Sequence, residues 1–71
     1  MKQAFNTQMS CADQFKTLDF AGRKWVRTTF CKRADISYSG FYQKMKSDFW
    51  RPIERELMVE LMNQYNGTQE H

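Results

Sequence analysis

The chain has 71 residues, of which 41% are apolar, 15% aromatic and 27% charged, with a formal net charge of +3. That length holds one small domain, which buries only roughly 60% of the surface its unfolded chain exposes and so depends on close packing. No apolar run approaches the ~20 residues that span a bilayer, and the first residues lack a signal-peptide core, so no membrane partner and a cytoplasmic location, nucleoid included, are expected.

Residues 1–9 show no period around Phe5 and read as a flexible arm ahead of a single domain over 10–66. Ser10 is an N-cap residue type and predicts a first helix near 10–22, with Phe15, Leu18 and Val26 as an apolar stripe that Phe20 and Trp25 extend. Gly22 weakens the end of that helix. Thr28 predicts the cap of a second helix near 28–34, in which Phe30 and Ala34 share a side. Asp35 and Ile36 form a turn, and Ser37 caps a third helix near 38–46, where Phe41 and Met45 repeat the four-residue spacing. Pro52 suits the first position of a fourth helix near 52–65, whose early Glu54 and Glu56 favour the positive end of the helix dipole. Ile53, Leu57, Leu61 and Tyr65 lie on one flank of it with Met58 and Met62 beside them, while Val59 falls outside the stripe. Asn66-Gly67 predicts its stop, and 67–71 a disordered tail. The expected architecture is all-α: a small four-helix domain containing a helix-turn-helix.

Chemistry on small substrates finds little support. Cys11 and Cys31 have no Cys-x-x-Cys spacing, and His71 is the only histidine, so neither a zinc site nor a hydrolytic triad can be assembled. Glu54, Glu56 and Glu60 read as a solvated helix face, and no Gly-rich phosphate loop is present. The expectation is a non-enzyme without metal or cofactor.

Charge is unevenly placed. Residues 23–46 carry Arg23, Lys24, Arg27, Lys32, Arg33, Lys44 and Lys46 against Asp35 alone, a local charge of +6. The segment before it is neutral, and residues 47–71 carry −3. The basic excess coincides with the two short helical patterns and their turn. Lys and Arg so placed neutralise phosphates and release counterions, the main source of non-specific DNA affinity.

A helix-turn-helix makes geometric demands that residues 26–47 meet one by one. Cys31 is small where the second helix crosses. Asp35 stands in the turn, where a left-handed backbone is needed and Asp tolerates it. Ile36 and Phe41 supply the buried residues after the turn and in mid-helix. The run Phe30-Cys31-Lys32-Arg33-Ala34-Asp35-Ile36-Ser37-Tyr38-Ser39-Gly40-Phe41-Tyr42 is similar to the helix-turn-helix at the start of certain insertion-sequence transposases, which carry Leu-Cys…Gly-Val-Ser-x-Ser-Gly-Tyr/Phe-Tyr. The Phe41-Tyr42…Lys46-Ser47 portion also resembles the recognition helix of tetracycline-repressor-type regulators, and phage repressors and excisionases share the geometry more loosely. Asp35 in place of the turn Gly, and Lys44 in place of an apolar residue, depart from the pattern.

The resemblance implies a DNA-facing third helix, with Ser37, Tyr38, Ser39, Tyr42, Gln43 and Lys46 at the positions that touch bases or phosphates. Gln43 suits adenine, Lys46 a phosphate, and Gly40 a close approach. Thr28 and Thr29 match a phosphate clamp at a helix start, with Arg27, Lys32 and Arg33 adding backbone contacts. The leading expectation is a sequence-specific regulator, repressor-like, of a phage, plasmid or mobile element. It would bind double-stranded DNA as a homodimer through Ile53, Leu57, Met58, Leu61, Met62 and Tyr65, on half-sites about one helical turn apart. The alternatives are an excisionase or transposition accessory factor that bends DNA, and a helical adaptor that binds a host protein through the 52–65 helix.

Overall fold

A computed structural model describes residues 5–69 and contains four helices: α1 (Cys11–Lys16), α2 (Phe20–Ala34), α3 (Tyr38–Ser47) and α4 (Pro52–Gln69). Among the described residues there is no strand, so the domain is all-α as expected. Two boundaries differ from the spacing rules. The helix expected over 10–22 breaks at residues 17–19, and the one expected from Thr28 begins eight residues earlier, at Phe20.

The break is built from side chains. Ser10 Oγ accepts the Asp13 N–H at 3.2 Å to open α1, and the Thr17 hydroxyl donates to the Gln14 carbonyl at 2.6 Å to close it. Asp19 then turns extended, and its carboxylate accepts the Gly22 N–H at 2.7 Å, which caps a new helix. This reset rotates Phe20 outward, to 74% exposure, and leaves Trp25 partly exposed, so neither extends the apolar stripe of Phe15, Leu18 and Val26. Thr28 sits in mid-helix and caps nothing.

Gly22 therefore lies in the first turn of α2 rather than at the end of α1. A Cβ there would stand 2.6 Å from Cε2 of Tyr65 on α4, whose hydroxyl donates to Asp19 at 2.8 Å. That ring is held at its far end, so it cannot swing away freely. Gly22→Ala gains helix propensity but overpacks this crossing, and a net loss of about 1–2 kcal/mol is expected. Thermal unfolding followed by circular dichroism checks it: the same substitution in a Tyr65→Ala background loses most of its effect, and an equal effect in both backgrounds refutes the clash.

α2 ends at Asp35, whose backbone is left-handed (φ 57°, ψ 49°), and the Ile36 N–H bonds the Cys31 carbonyl at 3.1 Å. Ser37 Oγ accepts the Gly40 N–H at 3.0 Å and opens α3, so only three residues separate the two helices. α3 ends on a second left-handed aspartate, Asp48 (φ 53°, ψ 33°). Its carboxylate accepts the Trp50 indole N–H at 3.0 Å and the Ala12 N–H at 3.2 Å, tying the end of α3 to the start of α1. Pro52 opens α4 as expected, with Glu54 reaching back to the Arg51 N–H at 2.9 Å. α4 runs past Asn66-Gly67 to Gln69: a glycine stops a helix by turning to positive φ, and none does so here. Residues 70–71 of the expected tail lie outside the described residues.

The core is aromatic. Phe41 packs at 5.5 Å from Phe15, 5.8 Å from Phe30 and 5.9 Å from Trp50, with edge-on or tilted rings. One residue from each of α1, α2 and α3 thus meets the α3–α4 connector. Cys11, Leu18, Val26, Cys31, Met58, Val59, Leu61 and Met62 complete the core, and Ala34, Ile36 and Met45 are among the residues that pack against it. Val59 is buried, contrary to its place outside the expected stripe. Residues 5 and 6 are tied down: Phe5 pairs through its backbone with the Asn63 amide (2.9 and 3.2 Å), and Asn6 likewise with the buried Gln14 (3.0 and 2.8 Å). Residues 1–4 of the expected arm lie outside the described residues. No described helix is long and apolar enough to cross a membrane.

Candidate nucleic-acid interface

α3 is attached to the domain by one side. Phe41 is its single fully buried residue, with Lys44 and Met45 half-buried on the same flank. Tyr38, Ser39, Tyr42, Gln43 and Lys46 are exposed and recur at three- and four-residue spacing, so they share the outward face. No carboxylate lies on α3. The outer face offers hydroxyl, amide and ammonium groups, all able to donate to the oxygens of a polyanion. Ser37 is exposed too, and its oxygen is occupied as the cap. Gly40 is not a close-approach residue toward another helix, because the nearest atom to an added Cβ is Ser37 Oγ at 3.5 Å.

Arg27, on α2, joins this face. Its Nη1 donates to the Tyr42 hydroxyl at 2.7 Å, and its guanidinium carbon lies 5.0 Å from the Tyr38 ring centroid. The three side chains, 15 residues apart at the extremes of the hydrogen bond, form one cluster where α2 faces α3. Sequence spacing places Tyr38 and Tyr42 on one helix side but gives no sign that Arg27 reaches them.

The other expected contacts divide. Lys32 and Thr28 are exposed on α2, four residues apart, and Thr29 is half-buried. The clamp expected of Thr28 and Thr29 is corrected: in mid-α2 their backbone N–H groups belong to the helix and are not available to a phosphate. Arg33 lies 3.6 Å from Glu60, an exposed pair of small energetic value. Lys44 meets Glu54 at 2.9 Å in a half-buried ion pair between α3 and α4, which accounts for a lysine where the pattern has an apolar residue. Burial alone would raise the Glu54 carboxyl, but the Arg51 N–H and Lys44 outweigh it and hold it below its ordinary range.

The homodimer face expected on α4 is used internally. Met58, Leu61 and Met62 are fully buried in this chain's own core, Leu57 and Tyr65 are half-buried, and only Ile53, at 74% exposure, stands clear. Pairing through the three buried residues would require opening the domain, and an adaptor surface made of them is excluded on the same ground. Burial also pushes the thiols of Cys11 and Cys31 upward, against the opposing pull of Arg55 and Arg27, so neither is a ready nucleophile. Among the described residues no group of three or more His, Cys, Asp or Glu side chains could hold a metal. Compared with known protein families, curated proteins and solved structures, the chain matches none.

Proposed function

We propose that this chain binds double-stranded DNA, with α3 as the helix presented to the major groove. One observation carries the reading: α3 follows α2 after three residues and turns a carboxylate-free face of Tyr38, Ser39, Tyr42, Gln43 and Lys46 to solvent. A helix offered by one side, behind a short turn, is the arrangement that lets side chains reach base edges in a groove about 12 Å wide. The basic excess over residues 23–46 supports it, although Lys44 is spent on Glu54 and Arg33 leans on Glu60. The role that fits is a small regulator acting by occupancy of its site.

The test is a fluorescence-anisotropy titration of mixed-sequence duplex at ~50 mM salt, repeated at rising salt. Micromolar or tighter binding that weakens linearly in log–log form is expected, since counterion release dominates non-specific affinity. Lys46→Gln lowers the affinity and reduces the salt slope by about one, the signature of a lost phosphate contact. Absence of binding to any duplex at low salt rejects the reading.

A further inference from the structure

Arg27 looks at first like one more cation for the phosphate backbone, yet its guanidinium is already committed. One nitrogen donates to Tyr42, the guanidinium carbon lies over the Tyr38 ring at 5.0 Å from its centroid, and Nε is covered with no hydrogen-bond partner among the described residues. A guanidinium engaged by two side chains at once has little freedom to follow a phosphate. The two tyrosines it holds remain 48% and 52% exposed.

Resting on the DNA-binding reading above, we infer that Arg27 is a positioning residue rather than a DNA contact: it fixes the Tyr42 hydroxyl as a one-way donor toward the duplex. A phenol oxygen keeps its proton near the ring plane, on one of two sides of the C–O bond. The Arg27 N–H, at 2.7 Å, fills the accepting side. The Tyr42 proton must then point the other way and can only be given to an acceptor. Donation from a cation also polarises the phenol and strengthens that outgoing bond. The Tyr38 ring completes the device by attracting the guanidinium over its face, which restricts where that donor can sit. Lysine is a poorer substitute, because its ammonium is a compact point charge on a flexible stem and does not hold one donating direction as a planar guanidinium does. The acceptor Tyr42 meets is an oxygen or nitrogen on the DNA: a phosphate oxygen, guanine N7 or O6, adenine N7, or thymine O4.

The inference separates charge from geometry, and Arg27→Lys separates them in the test tube. If Arg27 were a phosphate contact, lysine would serve nearly as well. If it positions Tyr42, Arg27→Lys weakens duplex binding about fivefold, the worth of one ordinary hydrogen bond of about 1 kcal/mol, with the salt slope unchanged. Tyr42→Phe has the same effect, and the double variant is no weaker than either single. A DNA-free arm runs the same cycle on thermal unfolding, where the two substitutions are again non-additive because they break one bond. Wild-type affinity in Arg27→Lys overturns the inference, as does multiplication of the two binding effects or additivity of the two unfolding effects. Failure of the wild-type chain to bind any duplex instead removes the reading on which it rests, whatever the unfolding cycle gives.

Discussion

Phe41→Ala lowers the unfolding temperature by about 15–30 °C and leaves only a marginal folded state. Truncating a fully buried phenylalanine costs about 3–5 kcal/mol in lost transfer energy and residual cavity. A chain of this size holds only on the order of 4–10 kcal/mol in total, at roughly 0.05–0.15 kcal/mol per residue, and each kcal/mol moves a small domain by about 4–8 °C. The site cannot relax easily into the hole. Phe15, Phe30 and Trp50 surround the ring from three directions, and each comes from a different segment, so closing the gap would move helices. The same ring is the only fully buried residue of α3, and its loss frees that helix as well. Phe20→Ala, on a side chain exposed to 74%, shifts the melting temperature by a few degrees at most. Circular dichroism melts of both variants decide it: a drop below about 5 °C for Phe41→Ala means that the aromatic cluster is not the centre of the core.

Asp48→Ala costs about 3 kcal/mol at neutral pH, and Asp48→Asn much less. Alanine leaves the Trp50 indole N–H and the Ala12 N–H without their acceptor, and it also places a Cβ residue without a local polar partner in the left-handed region. Asparagine keeps an acceptor and tolerates that backbone. The two differ again in acid. The Asp48 carboxyl is held below its ordinary value by the Ser10 hydroxyl, then by the Ala12 and Trp50 donors and by Arg55, against the opposing cost of burial. A folded pKa below the unfolded one means that its contribution is complete above about pH 4 and is lost as pH falls through the lower, folded value. Urea unfolding from pH 7 to pH 2.5 therefore shows a flatter acid limb for Asp48→Asn than for wild type. Glu54, also depressed, leaves a residual slope in both. Identical acid limbs would mean that Asp48 is not selectively bound in its charged form.

How much of this is legible in the sequence follows the range of the signal. The starts of α3 and α4 are written in Ser37 and Pro52, the left-handed turn in Asp35, and the buried Cys31 and Phe41 in their spacing about that turn, whereas Ile36, expected buried, is only half-buried. All of these act within a few residues. The α1–α2 break is not legible, because Asp19 caps without a following Glu or Gln to complete a capping box, and Gly22 reads as a terminator although its role lies against Tyr65, far along the chain. Trp50 sits in a connector with no period to place it. Of the candidate interface, the outward face of α3 was readable from period alone. The commitments of Lys44 to Glu54 and of Arg27 to Tyr42 were not, since each joins helices whose relative placement only the folded core decides.

The way α3 is fastened bears on how such a protein can change over generations. One ring, a flank of two half-buried residues, a cap at either end and the hold of Arg27 on Tyr38 and Tyr42 fasten it, while the side chains of Ser39, Gln43 and Lys46 are exposed. Substitutions at those three positions fall among surface changes worth within about ±0.5 kcal/mol. Drift can therefore rewrite the chemistry of that surface while the scaffold stays above its folding threshold, and a library randomised there would consist almost entirely of folded members.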